Sequence, residues 1–271
     1  MIFRCPVCAG ELESDGKSLR CPAGHCYDIS KYGYVNLLMS NSSSAKRHGD
    51  DRLMVTARRD FLDAGYYEPV RDAVISAALP GLKSGSRVLD AGCGEAYYTE
   101  ALDNAARAEG KKLSIACSDI SRDALRYAAK RLPGAELAVA SSAHLPVAGG
   151  GCDMVINMFS PLETREFHRV LTNGGALIRA AVLPRHLWGL KAAVYKKPYE
   201  NGEPETELEG FRLELRQDVM TSLNVKGEDI IRLFSMTPYY YKTSAEDFAR
   251  LKGLESLETE IAVTILRYER V

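Results

Sequence analysis

The sequence of 271 residues has no apolar run near the roughly 18 residues that a membrane-spanning helix needs. Its amino terminus, Met1-Ile2-Phe3-Arg4-Cys5, lacks the apolar core of a secretory signal. The formal net charge is only −1, so any contact with nucleic acid must come from a local basic patch rather than from a global field. These absences lead us to expect a cytoplasmic globular protein.

Cysteine is sparse beyond residue 26 and crowded before it, since four of the seven cysteines lie in that first stretch. In a reducing compartment such crowding favours a metal site over disulfides. Two half-sites, Cys5-x₂-Cys8 and one that begins at Cys21, are separated by 12 residues, which predicts a closed structural zinc site. The fourth ligand is either His25, giving three thiolates and one imidazole, or Cys26, giving four thiolates.

Residues 1–36 are too few to build a core alone. We therefore expect metal binding to contribute the free energy that folds them. The next stretch, residues 41–51, is polar and is predicted to be a linker or loop.

Hydrophobic periodicity from residue 52 onward alternates between helical and extended patterns. Helices are predicted at residues 52–64, 68–79, 97–109, 122–131, 162–170, 227–234 and 244–252. Strands are predicted at residues 87–91, 113–118, 137–140, 152–158, 176–182, 211–219 and 261–268. Strands that alternate with helices predict an α/β fold with a mostly parallel sheet, to which the last two strands are expected to add in antiparallel fashion.

A glycine turn follows the first strand of this alternation. Asp90 marks the carboxyl end of the strand, Gly92 and Gly94 permit a tight turn, and Glu95 opens the next helix. The pattern is G-x-G without a third glycine, because Tyr97 stands in that place, so a dinucleotide fits poorly. S-adenosylmethionine has no pyrophosphate, and a short turn suffices for it. Asp90 is expected to reach the methionine ammonium, directly or through water.

Polar residues follow the next three strands, at the edge where ligands bind in open parallel sheets. Asp119 is expected to accept hydrogen bonds from the ribose hydroxyls. The loop with Ser141 and Ser142 is expected to flank the adenine, and Asn157 ends the strand where the methyl donor meets its acceptor. The plainer alternative makes the two aspartates helix caps or turn residues. Acids and polar loops at four successive strand ends favour the cofactor interpretation.

Together these stretches resemble the 23S ribosomal RNA guanine-N1 methyltransferases, the group that includes the tylosin-resistance enzyme. Besides the cysteine half-sites and the glycine turn, the likeness rests on Tyr27-Asp28, Lys31-Tyr32-Gly33-Tyr34-Val35-Asn36-Leu37-Leu38, Gly49-Asp50, Ala57-Arg58-Arg59-x-Phe61-Leu62-Asp63-Ala64-Gly65-x-Tyr67, Ala140-Ser141-Ser142, Leu145-Pro146, Pro184-Arg185-His186-Leu187 and Met236-Thr237-Pro238. Three features depart from the group's pattern: Ala96, where glycine is frequent, the stretch Asn157-Met158-Phe159-Ser160, and the additional thiol of Cys26.

The resemblance implies a Rossmann-like class I methyltransferase sheet with a small N-terminal zinc-binding domain, acting as a homodimer on a 23S ribosomal RNA hairpin. We accordingly divide the chain into a zinc-binding RNA-recognition domain at residues 1–40 and an S-adenosylmethionine-dependent domain at residues 41–271. The implied zinc ligands are Cys5, Cys8, Cys21 and His25. The implied cofactor contacts are Tyr67, Gly94, Glu95 and His186.

Two groups of cations are candidates for phosphate contacts, which position a nucleic acid without reading its sequence. The first is Lys46, Arg47, Arg52, Arg58 and Arg59, and the second is Arg185, Lys191, Lys196 and Lys197. His144, Glu163 and His186 are candidates for the base that takes the proton from guanine N1.

Two other functions remain open on the residues. One is methylation of another RNA or of a small molecule. The other is a non-catalytic zinc-ribbon RNA-binding protein, against which the intact Asp90, Glu95 and Asp119 argue.

Overall fold

A computed structural model describes residues 1–39 and 50–271. The strands are β1 (Glu13–Ser14), β2 (Ser18–Arg20), β3 (Cys26–Asp28), β4 (Val35–Asn36), β5 (Arg87–Ala91), β6 (Ser114–Asp119), β7 (Glu136–Val139), β8 (Cys152–Met158), β9 (Leu171–Val182), β10 (Phe211–Lys226) and β11 (Ser256–Arg270). The α-helices are α1 (Arg52–Asp63), α2 (Glu68–Ala78), α3 (Tyr97–Ala108), α4 (Arg122–Arg131), α5 (Thr164–Val170), α6 (Trp188–Val194), α7 (Glu228–Ser235) and α8 (Ala245–Lys252).

One large sheet runs through the chain in the order β10-β11-β9-β8-β5-β6-β7-β4. The strands from β9 to β4 are parallel, and β11 pairs antiparallel with both β9 and β10. This arrangement confirms the predicted Rossmann-like α/β class. The chain passes from β5 to β6 on one side and returns to β8 on the other, so the order reverses at β5. Such a switch point opens a crevice at the carboxyl ends of the strands.

The central strands are apolar on both faces because helices cover both sides of the sheet. Val88, Leu89, Val155 and Ile156 are fully buried, and they contribute to cores on opposite sides of the sheet. Side chains cap the start of some of the helices: Asp51 accepts a hydrogen bond from the Met54 amide at the start of α1, and Ser121 accepts one from the Ala124 amide at the start of α4. These packed elements hold the loops at the carboxyl edge in place.

The cysteine-rich segment packs against the large sheet instead of standing apart from it. Its antiparallel sheet β1-β2-β3 leads into β4, which adds a parallel strand beside β7. The backbone amides of Ile2 and Phe3 both donate to the Glu136 carboxylate, with Ile2 N–Oε1 at 2.8 Å and Phe3 N–Oε2 at 3.0 Å. Phe3 and Leu19 join the same buried cluster as Leu145. Apolar burial therefore supports this segment in addition to any metal.

The structure differs from the predicted elements mainly near the carboxyl end. β10 and β11 extend over 16 and 15 residues, well beyond the predicted strands, because the two strands pair along almost their whole length. Helix α6 was not predicted. None of the described helices is both long and apolar enough to span a membrane. The predicted linker up to Gly49, together with Lys46 and Arg47, falls outside the described residues, and the boundary at residue 40 stays a prediction.

Candidate functional site

The turn after β5 brings two strand ends together. Gly92 has a φ of +83° and its amide donates to the Ser118 carbonyl at 2.8 Å. A Cβ on Gly92 would lie 2.3 Å from Ser160 Oγ, so only glycine fits between the β5 and β8 loops. Gly94 has a φ of +55°, and a Cβ there would meet nothing within 4 Å. Ala96 also takes a left-handed conformation, with a φ of +64°, where glycine would incur no strain.

Asp90 is buried at the base of this turn. One of its carboxylate oxygens accepts a hydrogen bond from the Thr99 hydroxyl, and the other, Oδ1, has no partner within the described residues. Burial, with the nearby charges of Asp119 and Glu95, raises the pKa of Asp90 to about 7. A buried acceptor without a partner is costly unless something binds it. A cationic ligand would both satisfy this oxygen and favour the ionised form.

Two further acids share the site. Glu95 is 2% exposed, burial raises its pKa, and its Oε1 has no partner among the described residues. Asp119 accepts from the Gly94 amide at 2.9 Å and from the Ser121 amide at 2.7 Å, while burial raises its pKa. Three carboxyl groups therefore surround the turn. This charge favours a ligand that is cationic overall.

Arg58 is a cation that faces these acids, which the sequence did not indicate. Its guanidinium pairs with Asp50 and donates to the Met236 carbonyl at 3.1 Å. Burial opposes its charge, but Asp50 and Glu95 outweigh that effect and raise its pKa. The assignment of Arg58 to an RNA-binding surface is therefore corrected, because its side chain is half-buried at the cofactor turn. The sequence signal, Arg58-Arg59, could not show that the two neighbours point to different places.

The loops after β7 and β8 close the same edge. Ser141 and Ser142 are half-buried beyond β7, and the Ser141 hydroxyl accepts from the Ala143 amide at 3.3 Å. Asn157 is 1% exposed and its amide nitrogen donates to Ala91 O at 3.1 Å, Ser160 Oγ at 2.6 Å and Pro161 O at 3.2 Å. The Asn157 amide nitrogen thus ties the β8 loop to β5. Its role toward the cofactor stays a prediction.

Tyr67 and His186 come from distant parts of the chain and meet at this edge. The Tyr67 hydroxyl lies 3.4 Å from His186 Nε2, and His186 Nδ1 accepts from the Ala262 amide at 3.2 Å. Burial, assisted by the charge of Lys191, lowers the pKa of His186 to about 3. The ring is therefore neutral with its proton on Nε2. Because its only lone pair is engaged, His186 is poorly suited to be the base that accepts the guanine proton.

The other two base candidates lie on separate elements. His144 is exposed in the loop after β7, and Glu163 is half-buried at the start of α5.

The second group of cations also needs correction. Lys191 is fully buried, donates to Asn201 Oδ1 at 2.7 Å and to Tyr199 O at 3.1 Å, and has a pKa that burial lowers. Lys191 holds the loop that contains Tyr199 and Asn201 against α6, and its charge is not exposed at the surface.

The cysteine half-sites converge on one point. The donor atoms of Cys5, Cys8, Cys21 and His25 all lie within 4.8 Å of one another, and Cys26 is exposed outside this cluster. The Cys8–Cys21 sulfurs are 3.6 Å apart, and His25 Nδ1 is 3.3 Å from Cys21 Sγ and 3.5 Å from Cys5 Sγ. A tetrahedral zinc ion separates such donors by roughly 3.5–3.8 Å. The donor set and its spacing fit zinc, with His25 in the fourth position.

The surroundings of Cys5 favour a thiolate. Burial opposes its ionisation, but hydrogen bonds from the Tyr27 hydroxyl and from backbone amides outweigh that effect and lower the pKa of Cys5 to about 6. Tyr27 lies 3.1 Å from the sulfur. Metal binding requires deprotonated thiols, so this contact prepares a ligand and orients it.

Two family models match the chain. The model described as "RlmA, N-terminal" matches residues 3–46, and the model described as "Methyltransferase domain" matches residues 88–175. The first covers the zinc-fitting cluster, and the second begins at β5 and includes the acid-lined turn.

Curated relatives match almost the whole chain. The "23S rRNA (guanine(748)-N(1))-methyltransferase" of Streptomyces fradiae is 30% identical over 277 residues, which cover 98% of this chain and 96% of the relative. A Bacillus subtilis (strain 168) protein named "Putative 23S rRNA (guanine-N(1)-)-methyltransferase YxjB" is also 30% identical, over 275 residues and with the same coverage of both chains. A third relative, from Micromonospora griseorubida and similarly named, is 38% identical over 205 residues, 68% of this chain and 67% of the relative.

Proposed function

Because this chain belongs to the family of 23S rRNA (guanine-N1)-methyltransferases, we propose that it methylates N1 of a guanine in a hairpin loop of 23S ribosomal RNA. The observation that carries this proposal is the buried turn with three carboxyl groups, two of which have an oxygen without a hydrogen-bond partner in the part of the chain that the structure describes. S-adenosylmethionine carries a sulfonium and an ammonium against one carboxylate, so it matches an acid-rich site. When bound, it supplies a methyl group that the sulfonium has already activated.

Each charged group of the site then has a role in binding that cofactor. Asp119 would accept hydrogen bonds from the ribose hydroxyls, while Asp90 and Glu95 would offer to the ammonium the oxygens that have no partner within residues 1–39 and 50–271. Arg58 lies beside these acids and is suited to the methionine carboxylate. Ser141 and Ser142 flank the adenine. Tyr67 and His186 close the apolar side and exclude water.

The acceptor imposes its own requirement. N1 of guanine bears a proton and lies on the Watson–Crick edge, so a paired base hides it and the target must be unpaired or extruded. With both bound, the protein would hold the methyl group and N1 in line, and this proximity would provide much of the rate. Transfer would form the N1–CH3 bond as the C–S bond of the sulfonium breaks, and the N1 proton would leave to solvent water.

We further propose an RNA-binding surface, the α4 strip, made of Lys31, Tyr32, Arg59, Arg122, Arg126 and Lys130. Helix α4 places Arg122, Arg126 and Lys130 at intervals of four residues, on one face. Tyr32 lies between the Arg126 guanidinium, 5.0 Å from its ring centre, and the Lys31 ammonium, at 5.2 Å. Arg59 stacks on Tyr127 at 4.6 Å. The α4 strip runs from the zinc-fitting segment to helix α4, which follows Asp119. A nucleic acid whose phosphates bind along this strip would therefore extend toward the cofactor.

Replacing Arg122 and Lys130 together by alanine is expected to reduce the salt dependence of RNA binding. Each phosphate contact contributes about 0.7–0.9 to the slope of log Kobs against log salt concentration, so the slope should fall by roughly 1–2. Filter binding of a 23S hairpin at several salt concentrations measures it. The control is Arg216→Ala on the outer strand β10, which should leave the slope unchanged. An unaltered slope in the double variant would remove the α4 strip from the proposal.

The proposal extends to assembly and location. We propose a homodimer that acts in the cytoplasm, with residues 1–40 as the RNA-recognition unit, on the strength of the family resemblance. Light scattering on the purified chain reports its mass directly, and a monomer that methylates RNA would contradict the dimer.

The function is tested with purified protein, S-adenosylmethionine and 23S ribosomal RNA from a strain that lacks the protein. Digestion to nucleosides and mass spectrometry should reveal N1-methylguanosine. Methyl transfer to another nucleoside would point to a different RNA methyltransferase, and cofactor binding without transfer to RNA would favour a small-molecule acceptor.

A further inference from the structure

Phe159 combines three properties at the carboxyl edge of the sheet. It follows directly after β8, it is 43% exposed although apolar, and it has a φ of +55°. The left-handed region is uncommon for residues other than glycine and is an outlier for a bulky side chain. Such conformations persist only where the surroundings impose them, and they cluster at functional sites.

The loop around Phe159 is fixed on both sides. Asn157 donates to Ser160 Oγ and to the Pro161 carbonyl, which closes the loop across Phe159. Ser160 Oγ in turn donates to Ala91 O at 3.0 Å, and its side chain lies against Gly92. The backbone of Phe159 is therefore locked to the glycine turn that we assign to the cofactor.

Three buried aromatic side chains support the Phe159 ring. His186 stacks at 6.5 Å between ring centres with an interplanar angle of 14°, and Tyr67 meets it edge-on at 6.3 Å. Tyr98 lies at 6.2 Å with an angle of 50°. All three supports are less than 10% exposed. Phe159 thus forms the exposed part of a packed aromatic platform, the remainder of which is buried.

We propose that the Phe159 ring stacks on the guanine that is methylated, an inference that rests on the proposed function. An unpaired base loses its stacking neighbours, and proteins that bind splayed bases replace these with aromatic side chains. Stacking engages the flat face of the purine and leaves its edge free. N1 lies on that edge, and the adjacent Ser160 and Gly92 place the platform next to the turn. The strain at Phe159 holds the ring where an extruded base arrives.

The first test measures methyl transfer to a 23S hairpin by Phe159→Ala, Phe159→Leu and Phe159→Trp. The alanine and leucine variants should lose roughly 10- to 100-fold in kcat/KM for RNA, because leucine keeps bulk but cannot stack. The tryptophan variant should retain activity. S-adenosylmethionine affinity should be unchanged in all three, and Met220→Ala, an exposed apolar residue on β10, should behave like the unaltered chain. A leucine variant with full activity, or a loss that follows cofactor affinity, would overturn the proposal.

A second readout reports stacking without activity. The chain has one tryptophan, Trp188, so the double variant Trp188→Phe/Phe159→Trp carries a single fluorophore at the platform. Its emission should be quenched by a hairpin with the target guanine and much less by the same hairpin with an abasic site there. Equal quenching by both hairpins would exclude stacking on the target. If the unaltered chain forms no N1-methylguanosine, the proposed function fails, which is a separate result.

Discussion

Replacing Asp119 by alanine is expected to weaken S-adenosylmethionine binding roughly 100-fold or more. Two hydrogen bonds to a charged acceptor would be lost, each contributing about 1.5–3 kcal/mol. The change also leaves the Gly94 and Ser121 amides without their carboxylate partner, so the turn itself becomes less well fixed. Isothermal titration calorimetry with the purified chain measures the dissociation constant directly.

A matched control is available on helix α4, which follows Asp119. Asp123→Ala removes an acid four residues away that pairs with Arg126, outside the turn, and cofactor affinity should not change. Asp119→Asn keeps one acceptor oxygen and should lie between the alanine variant and the unaltered chain. If Asp119→Ala binds S-adenosylmethionine within a few-fold of the unaltered chain, the ribose assignment is wrong.

Removing the fourth zinc ligand should weaken zinc binding about as much as Asp119→Ala weakens cofactor binding. We expect one zinc per chain. Changing a residue that only hydrogen-bonds to a metal ligand lowers metal affinity by roughly 10- to 100-fold. Because His25 is itself a ligand, His25→Ala should lower zinc affinity by more than about 100-fold. Phe3 and Leu19 are buried in a core that the cysteine-rich segment shares with the large sheet. We therefore expect the loss of metal to lower the thermal stability of the segment without detaching it from the sheet. Mass spectrometry of bound metal and thermal unfolding with and without a chelator report both effects.

The neighbouring residue provides the decisive comparison. Cys26→Ser should keep full zinc occupancy, because Cys26 is exposed and stands outside the cluster of four donors. The opposite pattern, in which Cys26→Ser loses zinc and His25→Ala retains it, would establish a site of four thiolates. The two variants thus resolve the alternative that the sequence spacing left open.

The sequence was sufficient for features that depend on local pattern. Strand β5 has the predicted bounds of residues 87–91, because a short apolar run that ends in an acid and a glycine turn leaves little choice of register. The half-sites likewise identified Cys5, Cys8 and Cys21 as donors that converge, since each pair is only a few residues long, but their spacing left the fourth donor open between His25 and Cys26.

Features that depend on distant contacts were not predictable in the same way. Arg58 and Lys191 were taken for surface cations, but tertiary packing turns them toward Asp50 and Asn201. The pairing of β4 with β7 joins residues about 100 positions apart, and two residues are too few to show a strand pattern. Phe159 carried no signal because a left-handed backbone is imposed by its neighbours, not by its own side chain.

The central claim is that this chain methylates N1 of a guanine in 23S ribosomal RNA. A methyl group on N1 blocks the Watson–Crick edge, so reverse transcription stops at the modified base. Ribosomal RNA from a strain lacking the protein should acquire a new stop in a 23S hairpin loop after incubation with the chain and S-adenosylmethionine. The stop should be absent with Asp119→Ala. Unchanged reverse transcription through 23S ribosomal RNA, while the chain binds the cofactor, would contradict the assignment.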